Sequence, residues 1–160
     1  MGYKITLDRG VLRAELFGRE TVKETKTFFQ AIVKASTESR PPCILISVRS
    51  SKPIFQLERH GLLEYFRELA ATPSRRIALL SDSTDLRLSH EYVELIARQH
   101  GLNVRSFRDE TAAYQWFKDP RQGQERRRSR ERRGQQVLRT AQERRRAGQQ
   151  RRAGQRRNPR

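Results

Sequence analysis

The sequence predicts an α/β domain on a single mixed, mostly parallel sheet, in the order β-β-α-β-α-β-α-β-α, followed by a disordered Arg-rich tail. Three observations predict it. Residues 43–48 and 77–80 are almost unbroken apolar runs, the pattern of strands covered on both faces. After an opening hairpin, strand patterns alternate with helical ones, which implies crossover helices between parallel strands. The chain also changes character at Pro120. Residues 1–120 hold 19 basic and 15 acidic side chains and all 12 aromatics, whereas residues 121–160 hold 16 Arg, no Lys and 3 Glu. The first part can bury a core; the second, at +13, cannot.

Residues 3–7 alternate apolar and polar, the period of a strand with one wet face. Asp8-Arg9-Gly10 is a turn signal, and residues 11–17 resume the alternation with Leu12, Ala14 and Leu16 on one face, so the two read as a hairpin. Thr21 and Glu24 fit a capping box, and Val22, Phe28, Phe29, Ile32, Val33 and Ala35 follow helical spacing to about residue 36. Pro41-Pro42 forces an extended approach to the strand at 43–48. A second helix is predicted over 57–70, with Leu62, Leu63, Phe66, Leu69 and Ala70 inward, broken by Thr72-Pro73-Ser74. After the strand at 77–80, residues 81–84 supply N-cap oxygens for a third helix running to about His100. Its inward face is predicted as Leu88, Tyr92, Leu95 and Ile96, with Gly101 as the C′ residue. Residues 102–107 form a last strand. Asp109 caps a final helix carrying Ala113, Trp116 and Phe117, and Pro120 stops it.

Several function classes fall away. A single Cys excludes a disulfide framework and any multi-cysteine zinc site. No apolar run approaches the roughly 18 residues of a spanning helix and no charged-then-apolar leader is visible, so a reducing, cytoplasmic setting is expected. His60, His90 and His100 lack metal-ligand spacing, and no Gly-x-Ser-x-Gly elbow, phosphate loop or Gly-x-Gly-x-x-Gly occurs. Asp82 and Asp85 could pair as acid and base, yet capping explains both. The expectation is therefore no enzyme, no cofactor and no metal.

A strand Arg76-Ile77-Ala78-Leu79-Leu80-Ser81-Asp82 leads into a helix. The ending then runs from Asn103 through Phe107-Arg108-Asp109-Glu110 to Ala113 and Trp116. Together they resemble the SpoIIAA-like, anti-sigma-factor-antagonist-like branch of the STAS fold family over roughly residues 3–118. That resemblance implies a non-enzymatic domain that binds a ligand or a regulatory protein. Antagonists of this family carry a phosphorylatable Ser in an Asp-Ser-Ser-Gly motif. Here the same connection reads Arg49-Ser50-Ser51-Lys52, with basic residues in place of the Asp and the Gly. The branch is also similar in shape to Sec14-type lipid-binding domains, which implies a pocket for an apolar or amphiphilic ligand near a membrane.

Loops 49–52 and 81–85 follow the two strands predicted to be central, where open parallel sheets favour a ligand crevice. Arg49, Ser50, Ser51, Lys52, Ser81 and Ser83 would offer cations and hydroxyls to an anionic head group, or serve simply as turn and cap residues. Ile54, Phe55 and Leu57 put three large apolar groups beside them. These either line a pocket mouth, dip into lipid beside Lys52 and Arg59, or fold back onto the sheet. A deep apolar crevice here would suit lipid, and a shallow polar one a protein partner. A homodimer is a further expectation.

In the tail, Gln-Glu-Arg-Arg-Arg at 124–128 recurs at 142–146. Guanidinium groups of Arg126, Arg127, Arg128, Arg132, Arg133, Arg144, Arg145, Arg146, Arg151 and Arg152 match phosphates bidentately, so RNA, DNA and acidic membrane surfaces are the natural partners, the alternative being a low-complexity extension that stays solvated. Gly134, Gly148 and Gly154 interrupt any helix. No aromatic offers stacking, so binding is expected to ignore base sequence. With roughly 6–10 phosphates engaged, affinity for a mixed-sequence duplex should fall about 10³–10⁵-fold between about 50 and 200 mM salt, and deletion of residues 121–160 should abolish it in a filter-binding titration.

Overall fold

Arg9 and Gly10, with φ of 47° and 81°, form a two-residue turn in which both positions are left-handed, the type I′ geometry that matches strand twist. It joins β1 (Gly2–Asp8) to β2 (Val11–Phe17), paired antiparallel with Asp8 opposite Val11. The structure, a computed structural model, describes residues 1–56, 59–72 and 74–119. The basic tail and all ten arginines named in it lie outside the described residues. Beyond the hairpin follow α1 (Val22–Ser39), β3 (Cys43–Arg49), α2 (Leu62–Leu69), β4 (Arg76–Ser81), α3 (Thr84–Gln99), β5 (Val104–Phe107) and α4 (Glu110–Lys118). This is the element order expected from the sequence. One five-stranded sheet in the order β1-β2-β3-β4-β5 holds the strands, with β2 to β5 parallel.

Strands laid down in sequential order and joined by right-handed crossovers place every crossover helix on the same face. Accordingly Leu12, Leu16, Ile44, Ile46, Ile77 and Leu79 pack with Phe28 and Ile32 of α1, Leu62 and Phe66 of α2, and Leu86 and Val93 of α3 in one core. Among the described residues the opposite face has only α4, whose Ala113 and Trp116 cover Val11, Leu45, Ala78 and Leu80. A helix of nine residues with two buried side chains needs other fastening. Arg76 supplies it at one end by donating to the carbonyls of Trp116 and Phe117, with its guanidinium 5.8 Å from the Trp116 ring centroid. At the other end Arg13 pairs with Glu110 and donates to the Tyr114 hydroxyl at 3.2 Å.

The caps are as the sequence implies. The Thr21 hydroxyl accepts the Glu24 N–H, and the Glu24 carboxylate accepts the N–H groups of Glu20 and Thr21 at 2.7 and 3.0 Å, which hold its carboxyl below the usual range. Ser83 caps α3 through the Leu86 N–H, and Asp109 accepts the Ala112 N–H at 2.8 Å. Gly101, at φ 72°, closes α3 in a Schellman motif: Gly101 N–H donates to Arg98 C=O and Leu102 N–H to Ala97 C=O.

Three expectations need correction. Helix α2 starts at Leu62 rather than 57, behind Gly61 at φ 67°; residues 57 and 58 lie outside the described residues. Strand β5 starts at Val104 rather than 102, because Gly101 and Leu102 complete the end of α3. The largest correction concerns the face of α3. Leu86, Ser89, His90, Val93 and Ala97 are its buried residues, while Leu88 and Leu95 are 48% and 53% exposed and Tyr92 and Ile96 pack only at the margin. Hydropathy counts Ser89 and His90 as outward residues; both are buried here, which turns the helix away from the apolar stripe.

Leu86→Ala should therefore cost about 2–5 kcal/mol and Leu95→Ala no more than about 0.5 kcal/mol in urea denaturation. The reverse ranking would put α3 in the orientation that hydropathy predicts.

Candidate functional site

The loops after β3 and β4 do meet, and a third segment joins them. Ser50, Ser51 and Lys52, Asp82 and Ser83, and Gly18, Arg19 and Glu20 from the β2–α1 connection line an open cleft of about 370 Å³. Ser81 lies in the adjoining cleft of about 420 Å³ with Thr84, Arg87 and Arg108. The cleft differs from the expected crevice in origin. A sheet wound in one direction never reverses its strand order, so it has no switch point, and loops alone form the opening.

Backbone closure occupies most of the predicted polar groups. The Ser51 hydroxyl donates to Arg49 C=O at 2.8 Å and accepts Arg19 N–H at 3.0 Å. Lys52 N–H donates to Arg19 C=O at 3.0 Å, and Gly18 N–H to Arg49 C=O at 3.2 Å. Ser50 takes the left-handed conformation at φ 46°, where its N–H donates to the Asp82 carboxylate at 2.8 Å. Ser83 is the α3 cap. Turn and cap roles thus account for Ser51, Asp82 and Ser83. Among the described residues, the Ser50 hydroxyl and the Lys52 ammonium form no hydrogen bond or ion pair. The apolar trio divides: Ile54 packs on the core, Phe55 stays 50% exposed with its ring 6.4 Å from that of Tyr92, and Leu57 lies outside the described residues.

Sequence reasoning missed Arg19. Its backbone forms the cleft wall, but its side chain is only 6% exposed and lines a second, more enclosed cavity of about 40 Å³ beneath. The walls there are largely apolar, including Phe28, Ile46 and Phe66, with Thr25, Ser89 and His90 as the other polar groups. Ser89 clasps the β3–α2 loop over this space: its hydroxyl accepts Ile54 N–H at 3.0 Å and donates to Ile54 C=O at 2.5 Å. Arg19 Nη1 donates to the Thr25 hydroxyl at 3.4 Å, while Arg19 Nη2 and His90 Nδ1 are buried with no partner. Burial pushes His90 down to about 4, helped by the nearby Arg19 charge. Burial also lowers Arg19 to about 10, against the opposing pull of Glu24. A signal for this site was present in the sequence. His90 stands within the row Leu86, Val93 and Ala97 at helical spacing, a polar residue on an otherwise apolar face.

Among the described residues, no group of three or more His, Cys, Asp or Glu could hold a metal ion, and no helix is long and apolar enough to cross a membrane. Comparison with known proteins brings no matching family model and no significantly similar curated protein.

Because the folded His90 titrates near 4 and a free histidine near 6.5, the unfolded chain binds the extra proton between those values. The contribution is complete above about pH 6.5 and is lost as the pH falls toward 4, to a total of about 3 kcal/mol. Urea midpoints measured from pH 7.5 to 4 should follow that limb in the parent and flatten in His90→Gln; parallel profiles would contradict it.

Proposed function

We propose that the chain is a non-catalytic, STAS-like binding module that engages a protein partner through the cleft and the apolar patch beside it, while the basic tail attaches it to polyanions. The observation that carries this reading is the continuity of the two surfaces. One short loop runs from Ser50 and Lys52 in the cleft to Phe55 against Tyr92, next to the exposed Leu88 and Leu95 of α3. An apolar centre with a polar, partly cationic rim is the composition of a protein interface. The open, polar cleft supports a protein partner over a lipid. The cavity beneath it, at about 40 Å³, holds only a few water-sized molecules, so an acyl chain would require release of the Ser89 clasp on Ile54.

A second reading rests on the tail. Its charge of +13 supports non-specific association with RNA or DNA, with the domain acting as the recruiting part. Phosphoregulation is a weaker reading: the Ser51 hydroxyl is held by two backbone groups, which leaves Ser50 as the accessible serine.

A photo-cross-linking residue at position 88 of the full chain should yield one discrete protein adduct in cells. Phe55→Ser combined with Lys52→Glu should abolish that adduct without changing the melting temperature. Adducts to lipid, or none, would overturn the protein-partner reading. An adduct lost on deletion of residues 121–160 but indifferent to the loop substitutions would favour the nucleic-acid reading.

A further inference from the structure

Two arginines are buried to the same degree in this fold, each 6% exposed, and they are treated differently. Arg75 donates from Nε to Pro41 C=O at 2.9 Å and from Nη1 to Leu69 C=O at 2.8 Å, with the Ser36 hydroxyl at 3.4 Å. Leu69 ends α2 and Ser36 lies in the last turn of α1, so helix-end carbonyls offset the Arg75 charge. Arg19 has no such set. Among the described residues its one side-chain hydrogen bond is the long contact to Thr25, no carboxylate lies within ion-pair distance, and Nη2 is buried without a partner. A guanidinium stays protonated at neutral pH; Glu24 attracts it without forming an ion pair, and a charge with no partner at contact distance among apolar walls is strongly unfavourable.

The compensation that is missing has a shape. Arg19, His90, Thr25 and Ser89 line one cavity, and two of the buried nitrogens of this group, Arg19 Nη2 and His90 Nδ1, have no partner. A neutral imidazole can turn either tautomer to a ligand, so the cavity offers the Arg19 cation with the His90 ring and the Thr25 hydroxyl beside it, and no acidic residue in its lining. A volume of about 40 Å³ takes something the size of one halide ion or one carboxylate and excludes a sugar, a nucleotide or an acyl chain.

We infer that the cavity between β2, α1 and α3 is a binding site for a small monovalent anion, a halide or a compact carboxylate, held by Arg19 with His90 and Thr25. This inference is independent of the partner surface, although the two touch. Arg19 N–H donates to Ser51 and Arg19 C=O accepts from Lys52, so an anion on the side chain also steadies the cleft wall made by the backbone.

The test is thermal unfolding of the full chain at constant ionic strength in sodium chloride, bromide or formate against gluconate, an anion too large for the cavity. Constant ionic strength keeps screening of the tail equal in every arm. The expected result is a rise that grows with the logarithm of anion concentration and reaches about 4–8 °C at roughly ten times the Kd of the fitting anion, with no rise in Arg19→Met. A response to chloride and bromide identifies a halide site; a response to formate alone identifies a carboxylate site. Equal melting temperatures in all four salts would overturn the inference, as would an undiminished rise in Arg19→Met. Should that variant fail to fold, crystals of the parent grown in bromide and in formate decide: an anomalous bromide peak or formate density between Arg19 and His90 is expected, and a cavity holding only water in both refutes the site.

Discussion

The direction in which the sheet is wound governs the rest of the molecule. Parallel strands added one beside the next, each through a right-handed crossover, can carry their helices on only one face. That face receives α1, α2 and α3 and most of the core, and among the described residues the opposite face is left to one short helix. Two consequences follow. The sheet has no point where strand order reverses, so any opening at its carboxyl end must be made by loops. And α4, with little apolar area of its own, is held by Arg13 and Arg76 reaching up from the strands.

Arginine recurs as the fastening element, and in each case the partner differs. Arg76 meets backbone carbonyls at the end of α4, Arg13 meets a carboxylate and a phenol, and Arg75 meets carbonyl and hydroxyl oxygens near the ends of two helices. Arg19 is the exception among these four. Its surroundings are apolar apart from Thr25, Ser89 and His90, and the last of these is kept neutral by the same burial that isolates the guanidinium. The exception lies where the loops converge. The backbone of Arg19 is hydrogen-bonded to the Ser51–Lys52 segment, the continuation of that segment is clasped by Ser89, and Ser89 is the neighbour of His90 on α3. Surface cleft and buried cavity are two sides of one polar network.

Much of the architecture is written in short-range signals. The Thr21–Glu24 box, the Ser83 and Asp109 caps, the Arg9-Gly10 turn and the Gly101 stop each involve residues within a few positions of one another, and the structure contains all of them. The apolar runs at 43–48 and 77–80 are the central strand and its interior neighbour, paired in parallel. The site was legible in part. Ser50, Ser51, Lys52, Asp82 and Ser83 converge as their positions after those strands imply, but most of their polar groups are occupied in joining the loops.

By itself, then, the sequence determined where elements begin, what type they are and in which order they come, because capping, turn chemistry and periodicity act over a few residues. Tertiary structure alone decided which way α3 faces and where the side chain of Arg19 goes. Both outcomes place polar groups inside. Whether a histidine, a serine or an arginine is buried depends on what stands across from it, and for Arg19 and His90 those neighbours come from segments about seventy residues apart in the chain.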